Sequence, residues 1–344
     1  MLSLLKPAAG LACLVALACA GCSSGGGGSS ATATQASTPA SSPPRQLSSG
    51  FQPYVSAITA SDLDSAGSPS TYNLAFVLAG GSGCTPKWNG NYAIGTKAVK
   101  SRISALTRIA NSKTPDALVR VSFGGATGTE LAQTCDSAAD LAKAYGTALD
   151  AAGAAQADFD IEGTALTDTA SIELRSRAIA LLRKQRPELK VSFTLPVTPT
   201  GLTDDAVAVL NSANDNGVSV STVNIMAMNY GTSYTGDMGD YAVSAAKAVH
   251  DQLAHVFGLS SAAAWRGLAV TVMIGKNDVA GETFSLSDAA QVHALATEKS
   301  LARVSMWATF RDRQCADSSS SGTASSECSG VSQQDGAFAK ALAG

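Results

Sequence analysis

AQADFDIEG, residues 155–163, sets Asp158, Asp160 and Glu162 at i, i+2 and i+4, with Phe159 and Ile161 between them. In a β-strand alternate side chains share a face, so the three acids project together and the two apolar residues point the other way. Like charges a few ångströms apart in a low-dielectric interior do not all stay ionised. A strand that aligns three acids therefore holds at least one of them protonated, which is how a general acid is made near neutral pH. The competing reading is an edge strand with a solvated acidic face. Phe159, Ile161 and the small or apolar flanks favour a second buried face instead.

Outward from this stretch, short apolar runs alternate with longer amphipathic ones. Strands are expected at 51–56, 72–79, 118–125, 156–163, 190–197, 222–231, 267–275 and 303–310. Helices are expected at 95–111, 138–152, 171–186, 203–214, 240–257, 287–301 and 331–343, with a short one in 60–69 after the first strand. Such alternation implies parallel β-α units, and eight of them imply one (β/α)8 barrel with its chemistry at the C-terminal ends of the strands. Residues 51–344 carry no internal repeat and no break that would mark a second domain.

The segment before the barrel is of another kind. Residues 1–22 hold one early cation, Lys6, and an apolar run too short to span a bilayer, the pattern of an export signal. Cys19-Ala20-Gly21-Cys22 resembles a bacterial lipoprotein cleavage site with Cys22 as the lipidated residue, although Cys19 stands where an aliphatic residue is usual. Residues 23–50 are rich in Gly, Ser, Thr, Ala and Pro, a flexible tether without a core. The barrel is thus expected outside the cytoplasm, lipid-anchored at the envelope or secreted. The only membrane contact expected is through that anchor.

Of 344 residues 45% are hydrophobic and 15% charged, enough for one large core. A net charge of −3 without long runs of either sign excludes a nucleic-acid footprint or polybasic membrane patch and suits a weakly charged substrate. Cys13, Cys19 and Cys22 belong to the export segment. Cys84, Cys135, Cys315 and Cys328 belong to the domain, and an even number in an exported protein points to two disulfides. Three pairings are open. The favoured ones are Cys315–Cys328, closing a Ser-rich loop, and Cys84–Cys135, tying two neighbouring loops. There is no Cys-x-x-Cys and the three histidines are scattered, so neither a metal site nor a cofactor is expected.

With the acids on the fourth strand, four motifs fall into place together. Val121-Ser122-Phe123-Gly124-Gly125, Asp158-x-Asp160-x-Glu162, Met226-Ala-Met228-Asn229-Tyr230-Gly231 and Ser305-Met306-Trp307 lie on strands three, four, six and eight. In this order they resemble the motifs of glycoside hydrolase family 18 chitinases, most closely a bacterial and archaeal subgroup. The resemblance implies substrate-assisted, retaining hydrolysis of β-1,4 bonds between N-acetylglucosamine units of chitin or its oligosaccharides by a monomer. Glu162 would protonate the leaving oxygen and then activate water. Asp160 would bind the acetamido N–H, and Asp158, deeper, would share a proton with it. Trp307 would floor the sugar site. An endo-β-N-acetylglucosaminidase acting on glycans or peptidoglycan and a sugar-binding barrel without turnover are the alternatives.

Departures from the family pattern matter. Ala155 replaces the first Asp of the signature, a structural position. On strand six the family's Tyr falls on Met228 and its Asp on Asn229, so Tyr230, on the inward face by period-two alternation, is expected to hold the acetamido oxygen. Asn229 would contact sugar without a negative charge. Trp88 is either a stacking platform or a packing residue. Met273, Asn277 and Asp278 are candidates for sugar contact, and Arg311 with Asp312 for an ion pair bracing the last loop. Trp265 and the histidines are expected to be structural.

Overall fold

The computed structural model describes residues 50–111, 118–316 and 324–344. The expected export signal, most of the expected tether and Cys22 lie outside them. Eight parallel strands close into a barrel. β1 comes in two pieces, Gly50–Phe51 and Tyr54–Ser56, interrupted at Gln52 and Pro53. It is followed by β2 (Thr71–Ala79), β3 (Leu118–Gly124), β4 (Gln156–Asp160) and β5 (Lys190–Pro196). Then come β6 (Thr222–Ala227), β7 (Leu268–Met273) and β8 (Arg303–Trp307). Each strand from β2 to β8 pairs in parallel with the next. The ring closes because the first piece of β1 pairs with β8 and the second with β2.

The outer layer is α1 (Lys97–Asn111), α2 (Ala138–Ala152), α3 (Thr169–Gln185), α4 (Asp204–Asp215), α5 (Met238–Phe257), α6 (Leu286–Lys299) and α7 (Ala337–Ala343). Their starts follow capping chemistry. Ser137, Asp168, Thr203 and Asp237 each accept a first-turn N–H, and Ser285 with Asp288 forms a full capping box.

Three expectations fail here. No helix forms in 60–69, which is a run of turns. The last helix starts at Ala337 and not at 331, because the buried Asp312 carboxylate accepts the N–H groups of Phe338 and Ala339 and caps it there. Asp312 is therefore not paired with Arg311, whose guanidinium binds the carbonyls of Ser325 and Lys276. β4 and β6 are also shorter than their apolar runs, and for β6 this has consequences at the site.

Register sorts the side chains into two shells. Phe123, Phe159 and Phe193 sit side by side on β3, β4 and β5. Their rings pack at centroid distances of 5.3 and 5.7 Å, with Tyr145 of α2 against the first two. This apolar seam fastens the sheet to its helices, and truncating Phe159 to alanine would cost about 3–5 kcal/mol. The alternate residues face the barrel axis, and that interior is polar. Arg120 donates to Asn73, Gln52 and Gln156 at its base. Higher up, Asn224 links Thr194 to Thr271. Among the described residues no helix is long and apolar enough to cross a membrane.

Candidate active site

β4 carries the acids upward through this interior. Asp158 is fully buried and saturated. It accepts from Tyr54, Ser122, Ser192 and Thr194 at 2.9, 2.8, 2.7 and 2.8 Å, and the Arg303 guanidinium stands 3.5 Å away. Each Asp158 oxygen accepts from two of these hydroxyls.

Asp160 is different. Its Oδ1 is buried without a partner. Burial first, then the charges of Glu162 and Asp158, hold its carboxyl well above the usual aspartate range. The ladder runs one residue past the strand end, with Ile161 N–H donating to the Thr194 carbonyl at 3.0 Å, and this brings Glu162 to the barrel mouth. Burial, followed by the charge of Asp278, raises Glu162 to about 7. An acid titrating there is poised to give up a proton and take it back near neutrality.

The Ser-x-Gly-Gly motif makes room for this arrangement. Ser122 feeds Asp158, while Gly124, with φ 98°, lies beside Asp160 in register. A Cβ on Gly124 would collide with the Asp160 carbonyl oxygen, so no larger residue fits. A Cβ on Gly125 would lie 2.9 Å from the Phe76 ring.

Asp160 and Glu162 line a cavity of about 320 Å³ at the C-terminal mouth. Trp307, Met228, Asn229 and Met273 line it too, with Tyr54, Phe76 and Asp278. Phe76 stacks on Trp307 at 5.5 Å and 21°, and Tyr54 meets Trp307 edge-on at 5.8 Å. The Ala75–Phe76 and Trp307–Ala308 peptide bonds are cis. The Phe76–Trp307 stack gives the cavity that Asp160 and Glu162 line a flat apolar wall, suited to the face of a pyranose ring.

Three residues named from the sequence fall elsewhere, the first being Asn277, which is buried and absent from the cavity lining. β6 ends at Ala227, and Asn229 then takes a left-handed φ of 54°, which breaks the period-two alternation. Tyr230 is thereby turned out of the cavity lining and packs on Tyr234 and Tyr241 at 5.9 and 5.8 Å, with its hydroxyl unpartnered. Trp88 is fully buried, donates to the Ile94 carbonyl and packs rather than offering a platform. Trp265 stacks on His250 at 4.2 Å. Cys84–Cys135 and Cys315–Cys328 are bonded. Sequence reading missed Phe76 and Tyr54 in the cavity, since both sit inside apolar runs that read as core. Among the described residues no group of three or more His, Cys, Asp or Glu side chains could hold a metal.

Proteins of known identity resemble this chain in sequence and in fold. The chain is 34% identical over 255 residues, 70% of its length, to a protein of Escherichia coli described as a probable bifunctional chitinase/lysozyme, of which it spans 28%. It is 33% identical over 254 residues to Endochitinase 11 of Metarhizium anisopliae, of which it spans 47%. Active domain 2 of the thermostable chitinase of Pyrococcus furiosus, solved as catalytic-site mutants with chito-oligosaccharides, superposes with TM-score 0.74 and 25% identity. That match covers 86% of this chain and 93% of the other. This chain is a homologue of these chitinases over the stretch they share. A family 18 chitinase from Pseudoalteromonas aurantia, 18% identical with TM-score 0.54 over 76% of this chain and 94% of its own, shares the fold. The chain spans less than half the length of either curated relative, and no family model matches it.

Proposed function

We propose that the chain is an exported chitinase that cleaves β-1,4 bonds between N-acetylglucosamine units with retention, through the substrate's own acetamido group. The observation that carries this is the neighbouring pair lining the cavity: Glu162 raised to about 7 beside Asp160, whose Oδ1 has no partner. Glu162 protonates the glycosidic oxygen as the bond to the anomeric carbon breaks. The acetamido carbonyl oxygen attacks that carbon from the other side, and its N–H is received by the free Asp160 oxygen. The ionised form of Asp160 is the one that stabilises the positive charge growing on the amide. Water then enters, Glu162 takes its proton, and the ring opens back to the acetamide.

Trp307 and Phe76 hold the pyranose against the acids. The export segment and two disulfides fit work in an oxidising compartment, with Cys22 as the anchor. Purified protein is expected to shorten chitin oligomers, the first-formed product having the β configuration by proton NMR. No product from any oligomer, or an α first product, overturns the reading.

A further inference from the structure

The loops after β6 and β7 are stitched together at the cavity mouth. The Asn229 amide donates to Asp278 Oδ2 at 3.2 Å, and the Asp278 backbone N–H donates to Asn229 Oδ1 at 2.9 Å. The Asn229 N–H donates to Asn277 Oδ1 at 3.4 Å, and the Gly231 N–H to the buried Glu282 Oε1 at 2.9 Å. Asn277 is itself fixed through its amide to the carbonyls of Met273 and Gly275. Asn229, Asp278 and Glu162 line one cavity.

An amide at 229 is what this geometry needs. It gives a donor to the Asp278 carboxylate and an acceptor to its N–H, and asparagine tolerates the left-handed backbone found there. An aspartate at 229 would set two carboxylates against each other. The family's acid is absent at 229, and a carboxylate stands one hydrogen bond away.

We propose that Asp278 is a positioning residue for Glu162, with Asn229 as its clamp, so that the loop after β7 supplies the carboxylate charge that position 229 lacks. This rests on Glu162 being the acid. The charged and titratable groups around Glu162 are few. Tyr54 from β1, Asp160 from β4 and Asp278 line the same cavity, Asp158 lies beneath, and no Lys, Arg or His is among the lining residues. Arg311, which Asp278 influences electrostatically, is committed to backbone carbonyls. Asp278 is exposed and partly screened by solvent, so its effect depends on being held in place.

Asp278→Asn and Asn229→Ala test it, with Asp278→Glu as the rescue. Glu162 is titrated in unliganded protein from its infrared carboxyl band, assigned by subtracting the Glu162→Gln spectrum, and the pH profile of kcat/KM is recorded on chitin oligomers. Asp278→Asn is expected to move both the titration and the alkaline limb to lower pH, whatever the height of the plateau. Asn229→Ala should move them the same way, and Asp278→Glu should hold them near the wild-type position. A titration unmoved by Asp278→Asn overturns the role of Asp278, and one unmoved by Asn229→Ala overturns the clamp. If wild-type protein cleaves no oligomer, the chitinase reading fails while the infrared titration still decides the positioning role.

Discussion

The lower and upper halves of the barrel interior hold the same kind of group under opposite conditions. Below, Asp158 receives four hydroxyl donors and faces Arg303. Above, Asp160 has a buried oxygen with no partner, and Glu162 is raised to about 7. The two halves belong to one strand, four residues apart at most. A satisfied carboxylate braces a fold, whereas an unsatisfied one awaits a ligand. Sequence spacing puts all three on one face and cannot distinguish them; the neighbours on β3 and β5 do.

The largest break in this contrast is expected at the top. Glu162→Gln keeps shape and hydrogen bonding but cannot donate the proton, so kcat on chitin oligomers should fall at least about a thousandfold. Melting temperature should be unchanged. For wild type, the acid must be protonated to act, so kcat/KM should decline as pH rises through about 7. A flat profile from pH 5 to 9 would remove Glu162 from the role.

At the bottom the order of effects reverses. Asp158→Ala strands Arg303 and four hydroxyls in the interior, and stability measured by urea unfolding should drop by about 3–5 kcal/mol. Asp160→Asn, by contrast, replaces a carboxylate that burial disfavours with a neutral group. The raised folded-state value means wild type loses stability as pH climbs above the ordinary aspartate range, because the folded chain holds the proton longer than the unfolded one. The variant escapes this, so its stability advantage should grow with pH over that window, while activity falls about a hundredfold. Equal pH dependence in both proteins would show that Asp160 is not the disfavoured group.

Much of this was legible in the sequence because period-two alternation and strand–helix alternation are properties of local pattern. The acids of β4 and the eight strands needed nothing more, whereas the Gly124–Gly125 pair was read from a motif resemblance. What was hidden depends on contacts between distant segments. Arg120 and Arg303 sit in strand runs, and only the closed ring turns them inward. Asp312 reads as a loop acid until Phe338 and Ala339 arrive to be capped. Phe76 and Tyr54 look like any buried aromatic until Trp307 is laid beside them. One clue was present at the strand that misled: Asn229 and Gly231 flank Tyr230, and both residue types punctuate strands by taking positive φ.

Tyr230 gives the smallest expected effect and the sharpest separation between pattern and structure. Read by alternation, its phenol holds the acetamido oxygen, and Tyr230→Phe should then cost about a hundredfold in kcat/KM. As folded, the ring is packed on Tyr234 and Tyr241, and the hydroxyl is buried without a partner among the described residues. Deleting a buried hydroxyl that makes no bond relieves a desolvation penalty and leaves the ring contacts intact. Tyr230→Phe should therefore leave kcat/KM within about twofold and raise stability slightly, by about 1 kcal/mol or less. A large loss with unchanged stability would mean that substrate draws the loop after β6 inward and restores the alternation that Asn229 interrupts.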